Sequence, residues 1–149
     1  MALIASIRCM MRDAGRPSLY APLRVVIYSS NAVMRMRVKQ ALGSLPDMCT
    51  APVIFIDTAT QPAVDRELAS GGTDLVILDA EATPSGGIGL AKQLKDELLQ
   101  CPPIVVVIAR VDDAWLADWS RADAVVSGPI DPIAMRETVI PLLRSRLIG

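Results

Sequence analysis

The feature that most constrains the fold is a set of five short apolar runs separated by helical patterns. The runs cover residues 24–29, 52–57, 74–79, 103–108 and 124–127. Short runs rich in valine and isoleucine are typical of strands that are buried on both faces. The intervening segments carry apolar residues at helical spacing. Ser29, Ser30 and Asn31 offer N-caps to the first of them, and Asp131 offers one to the last. The alternation predicts an α/β fold with a doubly wound, five-stranded parallel sheet.

The carboxyl ends of parallel strands meet at one edge of a sheet, and this edge is the usual place for a functional site. No strand is followed by a glycine-rich phosphate loop, so the sequence gives no support to nucleotide binding. The residues expected at or next to this edge are Ser29, Ser30, Asp57, Asp79, Ile108 and Gly128.

Composition excludes several function classes. The 149 residues include no histidine, which removes zinc sites with histidine ligands and Ser–His or Cys–His catalytic pairs. A net charge of −1 and 3% aromatic residues argue against nucleic-acid binding. Cys9, Cys49 and Cys101 form no C-x-x-C pair and are expected to be free thiols in a reducing cytoplasm. We therefore expect no enzyme activity, no metal site and no cofactor.

The chain is expected to have two parts, an N-terminal extension over residues 1–22 and a folded domain over residues 23–149. The apolar start of the extension is short and no basic region precedes it, which argues against a signal peptide or a membrane span. Its apolar residues fall near helical spacing, so the extension could act as a docking arm. These residues are Leu3, Ile4, Ile7, Met10 and Met11.

Residues 23–147 resemble the receiver domain of bacterial two-component response regulators. The order and spacing of three segments carry the resemblance: 74–79 with Pro84 and Gly87, 103–109, and 122–132. It implies a flavodoxin-like sheet with strand order 2-1-3-4-5. It also implies a cis peptide bond before Pro129.

The resemblance aligns Asp79 with the phosphoacceptor aspartate of the family. Receivers place an acidic pair where this chain has Ser29 and Ser30, a hydroxyl where it has Ile108, and a lysine where it has Gly128. Phosphoryl transfer needs a cation held by hard oxygen ligands, which these residues do not supply. We therefore expect a silent site in which Asp79 accepts hydrogen bonds from the loop that follows it.

In receivers the fourth helix, fifth strand and fifth helix form the partner-binding surface. The corresponding candidates here are Trp115, Trp119, Met135 and Arg144. Trp115 and Trp119 are spaced i, i+4 and share a helix face. They can either cover the core or stand exposed as interface anchors. Arg35 and Arg37 on the first helix are expected only to face solvent, and Pro141 is expected to bend or interrupt the last helix.

Three functions are compatible with these observations. The first is a non-catalytic protein-binding module that serves as an accessory subunit. Segments 26–31 and 87–96 are similar to stand-alone actinobacterial receivers, some of which belong to NADH:quinone oxidoreductase, respiratory complex I. That similarity implies complex I peripheral subunits as partners and a location at the inner membrane through the complex. The chain ends just past the fifth helix, so no output domain is expected.

The second function is a phosphorylatable single-domain response regulator with Asp79 as the acceptor. In that case Asp57 or Glu81 would have to replace the missing acids. The third is a flavodoxin-like protein that binds a small ligand at the Ser29–Asn31 turn, where amide groups at a helix N-terminus can hold a phosphate.

Overall fold

The computed structural model describes residues 22–44 and 51–148. Its centre is a parallel sheet with strand order β2-β1-β3-β4-β5, which confirms the predicted fold class and strand order. The strands are β1 Leu23–Tyr28, β2 Val53–Thr58, β3 Leu75–Asp79, β4 Ile104–Ile108 and β5 Ala124–Ser127. Each lies within one residue of its predicted position.

Five helices connect or follow the strands. They are α1 Ala32–Leu42, α2 Gln61–Ala69, α3 Gly87–Glu97, α4 Ala114–Trp119 and α5 Pro132–Ile148. A 3₁₀ turn at Val111–Asp113 precedes α4. The expected interruption of the last helix is wrong, because α5 continues through Pro141 to its end. Val139 and Leu143, on either side of this proline, are fully buried and hold both halves of the helix on the sheet.

Two predicted helix caps are present. The Asn31 Oδ1 atom accepts a hydrogen bond of 2.9 Å from the Val33 N–H at the start of α1. The Asp131 Oδ1 atom accepts one of 3.3 Å from the Ile133 N–H at the start of α5. Each bond satisfies an amide that has no partner inside its own helix.

The core has two layers because alternate residues of each strand face opposite sides of the sheet. Val25 and Ile27 pack on the side covered by α1 and α5, while Val26 packs on the side covered by α2 and α3. All residues of β3 and β4 are buried. Coverage of both faces explains why these strands are continuous apolar runs and do not alternate with polar residues.

Met135 does not belong to a partner-binding surface, and that prediction is wrong. Its side chain is fully buried with those of Val139 and Leu143. The three residues are spaced i, i+4, i+8 along α5, so they form the helix face that packs on the sheet. A residue in this layer cannot reach a partner unless the domain opens.

Residues 1–21 lie outside the described part of the chain, so the docking arm and the domain boundary remain predictions. None of the described helices is both long and apolar enough to cross a membrane. Among the cysteines, the structure describes Cys101, a free and half-buried thiol whose pKa is raised above its ordinary value by burial.

Candidate functional site

The register of the sheet brings Ser29 next to Asp79. Tyr28, the last residue of β1, pairs with Leu78 of β3. The residues that follow them, Ser29 and Asp79, therefore lie side by side. Ser29 is fully buried and Asp79 is 9% exposed. The predicted site at the carboxyl edge therefore contains a nearly buried carboxylate beside a buried hydroxyl.

Asp79 is held by two neutral hydrogen-bond donors. The Ser29 hydroxyl donates to its Oδ2 atom at 2.7 Å, and the Glu81 N–H donates to its Oδ1 atom at 2.9 Å. The Ser29 oxygen also accepts a hydrogen bond of 3.0 Å from the Asn31 N–H. Ser29 thus connects the carboxylate with the start of α1, and Asp79 accepts a bond from its own loop, as expected.

The loop between β3 and α3 is fixed by contacts from the end of β1. The Thr83 N–H donates to the Ser30 hydroxyl oxygen at 3.1 Å. The Tyr28 hydroxyl donates to the Ser85 carbonyl oxygen at 2.5 Å. Ser30, like Ser29, therefore has a structural role at a position where receivers carry an acid.

Gly87 allows this loop to close tightly on β3. A Cβ atom at this position would lie 2.5 Å from the Asp79 carbonyl oxygen, closer than real Cβ atoms approach such an atom. The absence of a side chain lets the first turn of α3 pack directly on the end of the strand.

The negative charge of Asp79 affects Tyr28. The pKa of the Tyr28 hydroxyl is raised above its ordinary value, mainly by burial and secondly by the charge of the Asp79 carboxylate. Both effects disfavour a phenolate at this place. The hydroxyl therefore remains a donor to the loop throughout the neutral pH range.

Asp79 opens onto a pocket of about 220 Å³. Four polar residues contribute to its lining, namely Asn31, Arg37, Asp79 and Glu81. The rest of the lining is mainly apolar and comes from Val33, Met34, Val107, Ile108, Ala109, Gly128, Pro129 and Ile130. The structure thus brings Ile108 and Gly128 together with Asp79, and the Gly128–Pro129 peptide bond is cis, as the resemblance implied.

The pocket lacks the acidic pair that receivers carry after the first strand, where this chain has Ser29 and Ser30. Within residues 22–44 and 51–148, no three acidic or sulfur ligands lie close enough to hold a metal ion. Asp57 does not replace the missing acids, because it pairs with Lys39 at 2.9 Å and with Arg35 at 3.4 Å and is not part of the pocket lining. Glu81 lines the pocket and adds one carboxylate to that of Asp79.

Two arginines of α1 do more than the sequence predicted. Arg35 is mostly buried and donates to the Ser29 carbonyl oxygen at 2.6 Å, so the expectation that it only faces solvent is wrong. Arg37 is exposed but lines the pocket. Its spacing of three and four residues from Met34 and Val33, which line the same pocket, was the signal that could have revealed it.

The two tryptophans lie on the surface of α4. Trp115 is 66% exposed and Trp119 is 55% exposed. The ammonium of Lys92 lies 5.7 Å from the centroid of the Trp119 ring, within the range of a cation–π contact. Of the two alternatives for this pair, the structure favours exposure over a core position. Arg144 is also exposed, on α5 at the opposite face of the sheet.

Comparisons with known proteins agree with this architecture. No family model matches the chain. Proteins from two strains of Mycobacterium tuberculosis, each named an uncharacterized response regulatory protein, are 51% identical over 134 residues, which is 87% of this chain and 97% of theirs.

Solved structures share the fold at low sequence identity. A two-component response regulator from Clostridium difficile has a TM-score of 0.68 at 17% identity. The match covers 83% of this chain and 98% of the chain of that regulator. A chemotaxis response regulator of Vibrio cholerae has a TM-score of 0.67 at 15% identity. The match covers 83% of this chain and 100% of the chain of that regulator. The names of these proteins mention no respiratory complex. The chain belongs to the response regulator family and has the fold of its receiver domains.

Proposed function

We propose that this receiver domain acts by binding another protein, without magnesium-dependent phosphoryl transfer at Asp79. The observation that carries the proposal is the exposed pair Trp115 and Trp119 on α4. Tryptophan is enriched at the energetic centres of protein interfaces, and two of them on one helix face form a compact anchor. Arg144 is an additional candidate on α5.

The contacts of Asp79 support the absence of phosphoryl transfer. Its carboxylate has a hydroxyl and an amide as donors, both neutral. A charge-assisted contact contributes about 1.5–3 kcal/mol. If such a contact is made only in the transition state, its loss slows the reaction about ten- to a hundredfold. Several such losses together, at Ser29, Ser30 and Gly128, should make phosphoryl transfer to Asp79 very slow.

The partner that the sequence resemblance implies is a peripheral subunit of complex I. A cytoplasmic location at the inner membrane, with residues 1–22 as a docking arm, belongs to the same proposal. Its support is the similarity of segments 26–31 and 87–96 to actinobacterial receivers associated with that complex. The described surface adds the tryptophan pair as the place where such a subunit would dock.

The test is affinity purification of the tagged protein from its own cells at native expression level, followed by mass spectrometry. We expect one large partner, and we expect Trp115→Ala with Trp119→Ala to reduce its recovery at least tenfold. Leu99→Ala is the matched control, because Leu99 is a fully exposed apolar residue on another part of the surface. Equal recovery by the double variant and the control would contradict the proposal. Deletion of residues 1–20 tests the arm separately.

A second candidate is a phosphorylatable single-domain response regulator with Asp79 as acceptor. The comparisons back this candidate better than a complex I subunit, because they name regulators and receiver domains. One structural observation also favours it, since Asp79 lines an open pocket and could be reached by a phosphodonor. Incubation with magnesium and acetyl phosphate separates the two candidates.

The flavodoxin-like alternative has less support. No aromatic side chain takes part in the lining that the described residues give to the pocket. Asn31 uses its side chain to cap α1. A purified protein with flavin absorbance would revive this alternative.

A further inference from the structure

We infer that the pocket beside Asp79 receives the ammonium group of a lysine side chain carried by the protein partner. The inference deepens the protein-binding role proposed above and rests on it. It names the chemistry of one contact, which is separate from the tryptophan anchor on α4. Three properties of the pocket lead to it: its charge, the character of its walls and the space over Gly128.

The first property is an uncompensated charge. Asp79 is nearly buried, and its two hydrogen-bond donors are neutral. No described residue forms an ion pair with Asp79 or with Glu81 among the salt bridges of the domain. A carboxylate that is removed from water is stabilised by an opposite charge far more than by neutral donors. The pocket therefore attracts a cation.

The second property is the apolar character of the walls. Val107, Ile108, Pro129 and Ile130 form apolar walls around the approach to Asp79. A lysine side chain has four methylene groups that pack on such walls while its ammonium reaches a polar end. The volume of about 220 Å³ is sufficient for a chain of this size. A bare metal ion or a hydrated cation would leave the apolar walls unused.

The third property is that the space over Gly128 is not required by the backbone. A Cβ atom at Gly128 would lie 3.4 Å from the Ile108 carbonyl oxygen and 3.8 Å from the Ala109 Cα atom. Both distances are ordinary van der Waals contacts. The backbone at this position would therefore accept a side chain, and Gly128 adds none to the pocket that it lines. A side chain from another molecule can fill it.

One residue of the lining opposes the cation. The Arg37 guanidinium lines the same pocket and no ion pair holds it among the described residues. Two carboxylates, those of Asp79 and Glu81, and one arginine line the pocket, so its formal charge is still negative. Removal of Arg37 should therefore strengthen cation binding, which is a direct test of the electrostatic argument.

The experiment uses the full chain and n-butylamine, which reproduces the end of a lysine side chain. Methyl NMR spectra of Ile108 and Ile130 are followed during titration at pH 7, with 1-butanol as the neutral probe of similar size. We expect saturable shifts with n-butylamine and binding at least tenfold weaker with 1-butanol. Asp79→Asn should weaken amine binding at least tenfold, and Arg37→Gln should strengthen it about threefold.

Asp65→Asn is the matched control, because Asp65 is exposed on α2 and is not part of the pocket. Equal affinity for the amine and the alcohol, or amine binding that survives Asp79→Asn, would overturn the inference. The titration needs no partner, so its failure leaves the role of the tryptophan pair untouched. Conversely, failure of the affinity purification leaves the titration result intact.

Discussion

Substitution of Ser29, the residue that follows β1, by alanine should destabilise the domain. The Ser29 hydroxyl is the only side-chain donor to Asp79 among the described residues, at 2.7 Å, and both residues are nearly or fully buried. The variant removes the side-chain partner of the Oδ2 atom in a carboxylate that is 9% exposed. It also removes the acceptor of the Asn31 N–H at the start of α1.

The expected magnitude follows from these two losses. A hydrogen bond to a charged group contributes about 1.5–3 kcal/mol, and a neutral one about 1 kcal/mol. Asn31 still caps α1 through its own side chain, so only part of the second loss should appear. We expect the free energy of unfolding of Ser29→Ala to fall by about 2–3 kcal/mol.

Urea denaturation at pH 7, with a double-mutant cycle against Asp79→Asn, measures this effect. The coupling energy between the two substitutions should exceed about 1 kcal/mol, because Asp79→Asn removes the negative charge to which the Ser29 hydroxyl donates. Ser70→Ala is the control, since the Ser70 hydroxyl donates to a carbonyl oxygen on an exposed helix end. A loss below about 0.5 kcal/mol, or full additivity of the two changes, would refute the role given to the Ser29–Asp79 bond.

Two further predictions concern the same edge of the sheet. Because the pKa of Tyr28 is raised, its neutral form is favoured in the folded state, so the stability it contributes is present below the ordinary tyrosine pKa of about 10 and is lost as the pH rises above that value. Unfolding free energies measured between about pH 9 and 12 should fall less steeply for Tyr28→Phe than for the wild type, and identical slopes would count against this assignment. Gly87→Ala should lower stability by about 1–3 kcal/mol in urea denaturation, since its Cβ would meet the Asp79 carbonyl oxygen at 2.5 Å. Gly89→Ala, on the same helix with open space around the new Cβ, is the control and should not destabilise.

Much of the fold could be predicted from sequence because burial on both faces of a sheet leaves a simple pattern. Strands such as 103–108 have no polar residue to satisfy, and the glycines and caps mark where the connecting helices begin and end. The error at Met135 arose from assigning a whole helix to the surface, although the apolar spacing with Val139 and Leu143 already indicated its buried face. The continuity of α5 through Pro141 depends on packing at both sides of the proline, which local sequence does not reveal.

The site was predictable in its members but not in its contacts. Alignment of strand ends identified Ser29, Asp79, Ile108 and Gly128, since parallel strands bring such residues to one edge. The role of Ser30 as an acceptor for the Thr83 N–H depends on the path of the 80–86 loop, and a single sequence does not give that path. Arg37 enters the pocket through the orientation of α1 on the sheet, which is a tertiary property.

The measurement that tests the central claim most directly is intact-mass analysis of the protein after incubation with magnesium and acetyl phosphate. An established phosphorylatable receiver run in parallel shows that the donor is active. Because serines replace the acidic pair of receivers and no group of three acidic or sulfur ligands lies among the described residues, we expect the mass of this protein to stay unchanged. A phosphorylated species that forms in the wild type and disappears in Asp79→Asn would contradict the claim and make Asp79 the acceptor of an active response regulator.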